Sequence, residues 1–389
     1  MNIVIVGGGF GGVKAALEIS KRKLGSVTLI SDEPYFLHHA SLYSTATGHS
    51  FAESVVPLTD MFANHADVKV VQDTMKSIDP DRKLVIGSKN YSYDVLIIAI
   101  GSVTAYFNIN GVAKHAYGIK TLEEVREFNH HVKDEIMTQR HLDRHYVVIG
   151  AGPTGIELAG ALKGYIKRLM TLSKMGDYQK LRVSIIEATD RILPRSSVTA
   201  SQIVTKRLKK IGIEVLVNHK VEAMDRDFIT VDGKKVSTKT AIWTSGLMNN
   251  PFFTQHQHYF KLSSNGHVEV NQYLEACPGI YVIGDNNNVK YSGMAWPAIH
   301  QGTFVAKHLG RKLRGHTLRP FHPHQPPIAV PVGENWGYVE WYGIYISGRI
   351  GYIVRRLMEL YGYCMLLPLK KALMVWKSHD IAEIDPKLL

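Results

Sequence analysis

The stretch NIVIVGGGFGGV, residues 2–13, decides the fold of this chain. An apolar run leads directly into a Gly-x-Gly-x-x-Gly motif formed by Gly7, Gly9 and Gly12, and a helix-like segment follows. In such a motif the first glycine allows a tight turn, the second lets the backbone approach a pyrophosphate, and the third lets helix and strand pack closely. The stretch therefore predicts a strand, a dinucleotide-binding turn and a helix whose N-terminal amides face an anion.

The same motif recurs in HYVVIGAGPTGIE, residues 145–157, where Gly150, Gly152 and Gly155 again follow an apolar strand and open a helix. One glycine motif alone could be a structural turn that binds nothing. Two copies in the same strand-to-helix context favour two bound dinucleotides, which the rest of the chain would bring together.

Composition restricts the classes of function. The chain has 389 residues, of which 45% are apolar, enough for two nucleotide-binding units. Its two cysteines, Cys277 and Cys364, form no Cys-x-x-Cys motif, so a cofactor must supply any redox chemistry and a reducing compartment is expected. Without a basic leader or an apolar run of about 18 residues, we expect neither secretion nor a spanning helix. The formal charge of +12 suits nucleic acid, an anionic membrane surface or anionic cofactors.

Each glycine motif should be followed by a strand whose end meets a ribose. In the first unit Ser31 takes the place of the expected acidic residue, with Asp32 and Glu33 just after it, so the ribose contact is shifted, weakened or made by Asp32. In the second unit Glu187 ends the strand, where a carboxylate binds a 2′-hydroxyl and repels a 2′-phosphate. This favours NADH, although an exposed strand end is the alternative for Glu187 and the nearby Arg191 keeps NADPH open.

The segments between the motifs predict a connecting architecture. Residues 35–48, YFLHHASLYSTATG, form either a loop with a short helix or the lining of a flavin site. The buried run at residues 95–100 predicts a parallel strand returning to the first sheet, and residues 101–117 a hinge. Thr121 and Glu124 have the spacing of a capping box that opens a helix.

A third informative stretch, GIYVIGDN at residues 279–286, predicts a strand that ends in Gly-Asp. Ligands bind at the carboxyl ends of strands in α/β folds, so Asp285 lies where a ligand would be. The helix that follows contains Pro297 near its start, and its N-terminus can direct backbone amides at a ring carbonyl.

Together these stretches resemble the two-dinucleotide-binding-domain flavoprotein family. The resemblance rests on both glycine motifs, LIIAIGS at residues 96–102, Glu157 just after Gly155, IWTSG at residues 242–246 and GIYVIGD at residues 279–285. Within that family the chain is similar to the membrane-associated type II NADH:quinone oxidoreductases over nearly its whole length.

The resemblance implies FAD on the first glycine motif, with Asp285 on its ribityl chain, and NADH on the second, with Glu157 near the nicotinamide–flavin contact. Motifs and resemblance together assign these residues to cofactor binding: Gly7, Gly9, Phe10, Gly12, Ser31, Asp32, Ala99, Gly101, Gly150, Gly152, Pro153, Thr154, Gly155, Glu187, Gly246, Gly284, Asp285 and Ala298. The catalytic candidates are Glu157, Trp296, His300 and Gln301. No metal site is expected.

The chain departs from its relatives at the electron-acceptor end. Where the family carries Ala-Gln-x-x-x-Gln, this chain has Trp296 and His300 in place of the glutamines, with Gln301 following, and Ile100 stands where many relatives have Thr. Trp296 could stack on a quinone and His300 could donate a hydrogen bond or a proton to it, since imidazole titrates near neutrality. Packing of the first helical turn is the alternative for both.

The C-terminal region interleaves aromatic and basic residues. Residues 316–331 have the Pro- and His-rich composition of a linker. In residues 336–376, Ile353, Leu357, Leu360 and Tyr361 could form an apolar face opposite bases that include Arg355 and Arg356, as in a segment lying on an anionic bilayer. A dimer-forming or core-capping helical hairpin is the alternative. Nucleic acid is disfavoured because no recognition motif accompanies the charge.

These observations predict an α/β protein with two Rossmann-like domains and a C-terminal amphipathic membrane-association segment. The FAD-binding domain spans 1–110 and 250–318, the NADH-binding domain is inserted at 111–249, and the C-terminal segment spans 319–389. The expected function is hydride transfer from NADH to FAD and two-electron transfer to a membrane quinone without proton pumping, at the cytoplasmic face of the cell membrane. Alternatives are a reductase for a soluble or protein acceptor and an NADH sensor that does not turn over. Association of two copies of the chain into a homodimer is left open.

Overall fold

The computed structural model describes residues 1–143, 145–176 and 180–383. The first part of the chain holds β1 (Asn2–Val6), α1 (Phe10–Lys21), β2 (Ser26–Ser31), β3 (Tyr35–Leu37), α2 (Leu42–Ala46), β4 (Val55–Pro57), α3 (Leu58–Met61), β5 (Val68–Gln72), β6 (Ser77–Asp79), β7 (Leu84–Ile86), β8 (Asn90–Ser92), β9 (Val95–Ile98) and β10 (Ser102–Thr104).

The middle part holds α4 (Val112–His115), α5 (Leu122–Lys133), β11 (Tyr146–Ile149), α6 (Pro153–Leu172), β12 (Val183–Glu187), α7 (Val198–Lys210), β13 (Glu214–Val217), β14 (Val221–Met224), β15 (Phe228–Val231), β16 (Lys234–Ser237), β17 (Thr240–Trp243) and β18 (Leu247–Asn249). The last part holds α8 (Pro251–Gln255), β19 (Glu275–Cys277), β20 (Ile280–Val282), α9 (Ala295–Leu313), β21 (Ile328–Pro331), β22 (Gly337–Trp341), β23 (Ile344–Ser347), α10 (Gly348–Cys364) and α11 (Leu369–Lys377).

Two separate sheets carry the two glycine motifs. The first has the order β19-β20-β9-β1-β2-β5 and is parallel except at the edge strand β19. The second has the order β13-β12-β11-β17 and is parallel throughout. Strands β1, β9, β11 and β17 are almost wholly buried, as expected for apolar strands covered on both faces by helices. The predicted Rossmann-like α/β architecture is confirmed.

The connections between the sheets run through a short antiparallel pair, β10 with β18. Each of these strands directly follows a glycine in the left-handed region, Gly101 and Gly246. The predicted capping box is present at the start of α5, where the Thr121 side chain accepts from Glu124 N and the Glu124 carboxylate accepts from Thr121 N. The segment that connects the first sheet to the second is thus held by a strand pair at its start and by a capping box at its end.

Residues after α9 are built into both cores. Val330, Val332 and Tyr338 are buried in the cluster around α6 and the second sheet. Tyr363 and Ala372 are buried in the cluster around the first sheet. The end of the segment whose composition suggested a linker therefore forms a strand, β21, because its apolar residues pack against α6.

Candidate functional site

The first glycine motif forms the tight turn that its sequence predicts. Gly7 has φ +114°, and a Cβ there would lie 2.1 Å from the carbonyl oxygen of Ala99. A Cβ at Gly12 would lie 2.0 Å from the carbonyl oxygen of Gly7, so only glycine allows this approach of α1 to β1. A Cβ at Gly9 would meet nothing within 4 Å, which leaves open space at the N-terminus of α1, where Phe10 begins the helix. Such a turn can cradle a pyrophosphate.

The ribose end of this unit favours Asp32 over Ser31. Ser31 is buried, and a Cβ at Gly8 would lie 2.5 Å from its hydroxyl oxygen. Asp32 is exposed, and one of its carboxylate oxygens accepts from the amide of Glu33 at 3.1 Å. A carboxylate that reaches solvent at the end of β2 remains able to bind a ribose hydroxyl.

The second glycine motif repeats the geometry. Gly150 has φ +107°, and a Cβ there would lie 2.2 Å from the Ser245 hydroxyl. A Cβ at Gly155 would lie 1.9 Å from the carbonyl oxygen of Gly150, whereas Gly152 again faces open space. Pro153 and Thr154 are exposed in the first turn of α6. This second turn is thus equally able to accept a pyrophosphate.

Glu187 is held at the edge of this second turn. One carboxylate oxygen accepts from Ala151 N at 2.8 Å, and the other accepts from the amide and the hydroxyl of Thr189 at 2.9 Å. Arg191 turns away from it and donates to the backbone carbonyls of Leu193, Pro194 and Ser197. A guanidinium occupied in this way is not available to a 2′-phosphate, so the local arrangement favours a ribose with a free 2′-hydroxyl.

Gly246 lies between β17 and β18, beside this turn. Its φ is +77°, and a Cβ there would lie 2.3 Å from the ring of Phe107. Phe107 is itself exposed and has a left-handed backbone, with φ 51°. The loop that carries Phe107 therefore lies against Gly246, close to the second glycine turn.

The first sheet collects polar groups at the carboxyl ends of β9 and β20. Asp285 accepts a 2.8 Å hydrogen bond from the Ser102 hydroxyl. The Asn286 side chain pairs with the backbone of Gly101, accepting from its amide at 2.9 Å and donating to its carbonyl at 2.7 Å. Sequence patterns did not indicate Ser102 or Asn286 as site residues. The Gly-Asp-Asn run directly after β20 did, however, point to the end of that strand as a ligand site.

Gln301 holds the turn that carries Asp285. It is fully buried, and its side-chain oxygen accepts from Gly284 N at 2.7 Å and from the Asn287 amide at 2.8 Å. Ala298 packs under the same turn, 3.7 Å from where a Cβ on Gly284 would lie. These contacts make Gln301 a positioning residue for the turn, and its direct part in catalysis stays a prediction.

Trp296 and His300 lie one turn apart on α9. Their ring centroids are 4.8 Å apart, and the Trp296 ring also lies 5.6 Å from that of Tyr361 on α10. Burial, with the nearby His324, Lys307 and Lys14, lowers the pKa of His300 below its usual 6.5. At neutral pH the ring is therefore uncharged, so it can donate a hydrogen bond, but only a small fraction carries a second proton to release.

Glu157 is a buried carboxyl in the first turns of α6. Burial raises its pKa to about 8, against the opposing effect of Arg355, whose Nη2 lies 3.9 Å from its Oε1. The carboxyl is thus mostly protonated at neutral pH. The family resemblance assigned Glu157 to the site, but no sequence pattern indicated its partner Arg355, which is about two hundred residues away in the chain.

Arg355 belongs to a buried ion cluster. Glu359 accepts from Arg355 at 2.7 Å and from Arg356 at 2.5 Å, and Arg356 lies 3.6 Å from Glu53. His379 contacts the same Glu53 carboxylate at 2.9 Å. The expectation that Arg355 and Arg356 face an anionic surface is therefore wrong, because their charges are paired in the interior.

The ion pairs of Glu359 with Arg355 and Arg356 could have been predicted from the sequence. Glu359 follows Arg355 by four residues and Arg356 by three, which are the spacings at which opposite charges meet on one helical face.

Two open glycine turns on two sheets of parallel strands define an α/β protein of the class that binds two dinucleotides. The chain belongs to the pyridine nucleotide-disulphide oxidoreductase family, whose sequence profile matches residues 1–302. It carries no disulphide centre, since Cys277 and Cys364 are both free.

Individual relatives cover nearly the full chain. The type II NADH:quinone oxidoreductase of Staphylococcus aureus is 25% identical over 381 residues, which cover 92% of this chain and 94% of that protein. The protein of the same name from Mycobacterium tuberculosis is 28% identical, over 83% of this chain and 75% of that one. The structure of NDH2 from Plasmodium falciparum in complex with NADH has the same fold, with a TM-score of 0.85, 19% identity and 97% coverage of both chains.

Proposed function

We propose that this chain is an FAD-dependent NADH:quinone oxidoreductase that does not pump protons. The proposal rests on the pair of open glycine turns, each at the carboxyl end of a parallel strand in its own sheet. The paired strands β10 and β18, which follow Gly101 and Gly246, connect the two sheets. FAD would occupy the turn at Gly7–Gly12, with Asp285 and Ser102 beside it, and NADH the turn at Gly150–Gly155. The relatives named as type II NADH:quinone oxidoreductases support this assignment.

Bound flavin supplies the chemistry, since it accepts a hydride and passes electrons on to a second substrate. The task of the chain is to position the two cofactors and to keep water away from them. Glu187 selects NADH, because its carboxylate is fixed by Ala151 and Thr189 while Arg191 is bonded to backbone carbonyls. Glu157 presents a protonated carboxyl from within the protein.

The proposed membrane contact is an apolar surface that we call the outer apolar face. It consists of exposed residues on the β22–β23 hairpin and on α10 and α11: Trp341, Tyr342, Ile344, Tyr345, Ile346, Ile350, Ile353, Leu357, Tyr361, Leu369 and Met374. Ile344 and Ile350 are 75% and 66% exposed, which is unusual for large aliphatic residues. Exposed aliphatic and aromatic side chains together with the exposed bases Arg349, Lys370 and Lys377 suit a lipid headgroup boundary.

The acceptor would approach from this face. Tyr361 belongs to the outer apolar face and contacts Trp296, which starts α9 next to the turn that carries Asp285. A quinone dissolved in the bilayer could therefore reach the flavin side of α9 along Tyr361 and Trp296. In the described ranges, no helix has the length and apolar character needed to cross a membrane. We propose attachment at the cytoplasmic face through the segment 319–389, with the FAD domain at 1–110 and 250–318 and the NADH domain at 111–249.

A visible-spectrum titration tests the function. NADH added without oxygen should bleach the flavin, and a short-chain quinone should restore its absorbance over repeated cycles. Restoration only by a soluble protein acceptor would point to a reductase, and bleaching without turnover to a sensor. Purified protein that holds no flavin would overturn the proposal.

The membrane contact has a separate test. Ile350→Glu and Ile353→Glu should abolish flotation with anionic vesicles, whereas Val198→Glu, at an exposed position on α7, should not. High salt should weaken binding only in part, because the apolar contribution is not screened. If the variants still float, or if they instead convert a dimer to a monomer, the face serves another purpose.

A further inference from the structure

Lys120 reaches from the segment before α5 to the first dinucleotide site. Its Nζ lies 3.3 Å from the Ser102 hydroxyl oxygen, and that hydroxyl donates to Asp285. The capping box fixes the backbone here, since the Glu124 carboxylate accepts from Lys120 N at 2.6 Å and from Thr121 N at 2.9 Å. A rigid helix start therefore directs this ammonium group at the carboxyl ends of β9 and β20.

The surroundings leave this cation incompletely compensated. Burial lowers the pKa of Lys120, and the attraction of Asp285 and Glu124 offsets that effect only in part. His39 adds no second positive charge here, because burial and the nearby Lys120 lower its pKa to about 3. The His39 side chain is nevertheless solvent-accessible. Lys120 is thus a largely desolvated cation within electrostatic reach of Asp285 and His39.

We propose that Lys120 is a further residue of the flavin site and that its positive charge raises the reduction potential of the bound flavin. The inference rests on the proposed function, since it requires FAD at the first glycine turn. Hydride addition places one extra negative charge on the flavin, and a nearby fixed cation stabilises that charge. The competing explanation is structural: Lys120 would only tie the start of α5 to Asp285.

Charge removal separates the two explanations. We expect Lys120→Met to lower the flavin midpoint potential and to weaken sulfite binding at least tenfold. Sulfite donates its sulfur lone pair to flavin N5 and leaves a negative charge on the ring, so its affinity reports the same electrostatic effect without turnover. A tenfold change for a two-electron couple corresponds to about 30 mV. Lys120→Arg should preserve most of the potential and of the sulfite affinity.

Lys133 provides the matched control. Like Lys120, it is a largely buried lysine, and burial lowers its pKa. It lies on α5, however, and its ammonium group donates to the carbonyl of Glu383 at 2.8 Å. Lys133→Met should leave the potential unchanged. An unchanged potential in Lys120→Met, or an equal fall in Lys120→Arg, would overturn the inference.

The wild-type protein gives a second, independent measurement if Lys120→Met does not retain flavin. A fixed cation keeps the reduced flavin anionic, so two electrons should be taken up with one proton at neutral pH. The potential should then fall with pH half as steeply as for a two-proton couple even in mildly acidic solution, where free reduced flavin takes up its second proton. The full two-proton slope there would refute the inference. Wild-type protein without flavin would instead refute the proposed function, which keeps the two failures distinct.

Discussion

Replacement of Glu157 by Gln tests the electrostatics of the site with the least change in shape. The raised pKa means that the folded protein keeps a proton on Glu157 up to about pH 8, whereas the unfolded chain releases it near its reference pKa of about 4.3. Between these values the folded state binds more protons, so this group makes stability fall as pH rises. Gln cannot ionise and should remove that dependence.

The expected difference follows from linkage. The two proteins should have similar free energies of unfolding below about pH 4, and the variant should gain about 1.4 kcal/mol per pH unit across the window. Above pH 8 the difference should level off on the order of 5 kcal/mol. Urea unfolding of the holoprotein at a series of pH values measures it.

Glu359 supplies a control of opposite sign. Burial alone would raise its pKa, but Arg355 and Arg356 lower it below 4.5. Its contribution is therefore present above the unfolded pKa and lost as pH falls, so Glu359→Gln should be most destabilising at neutral and alkaline pH. A flat difference between wild type and Glu157→Gln from pH 5 to 8 would refute the assignment of a protonated Glu157.

Further predictions concern the two substrates and the C-terminal segment. Glu187→Gln should lose about 1.5–3 kcal/mol of binding to NADH and narrow the preference over NADPH in stopped-flow flavin reduction; equal wild-type rates with both would contradict it. His300→Gln should slow reoxidation by quinone while leaving reduction by NADH intact, and since the His300 pKa is lowered, any pH dependence that it removes should lie below pH 6.5. Deletion after Pro331 should give insoluble or unfolded protein, because it removes the buried side chains of Tyr338 and Tyr363; a folded, flavin-containing fragment would show that this segment is dispensable.

The parts of the fold that the sequence predicted are those with a local cause. Each glycine motif needs a backbone that only glycine allows, as at Gly7 and Gly150, and the capping box at Thr121 is a contact across three residues. These features leave a pattern within a few positions. The assignments of Phe10, Ala99 and Ala298 came from resemblance to a family, and they remain predictions.

The missed parts depend on residues that are distant in the chain. Lys120 contacts Ser102, which donates to Asp285, and Arg355 lies beside Glu157. No local spacing encodes these pairs. Periodicity along α10 correctly separated one helical face from the other. It could not say which face is buried, since it assumes that charged residues face outward.

The orientation of α10 can be explained by comparing the free energy of its charged face and of its apolar face in the buried and in the exposed position. Its inner face carries Arg355, Arg356 and Glu359, whose charges are paired with one another and with Glu53. Its outer face carries Ile353 and Leu357, which are about half exposed. In water this arrangement is unfavourable on both sides, because buried ion pairs seldom repay their desolvation and exposed aliphatic side chains lose their burial energy. A hydrocarbon boundary beside the outer face would bury the exposed aliphatic side chains and so make their position favourable. The same boundary would favour keeping the charged side chains inside the protein.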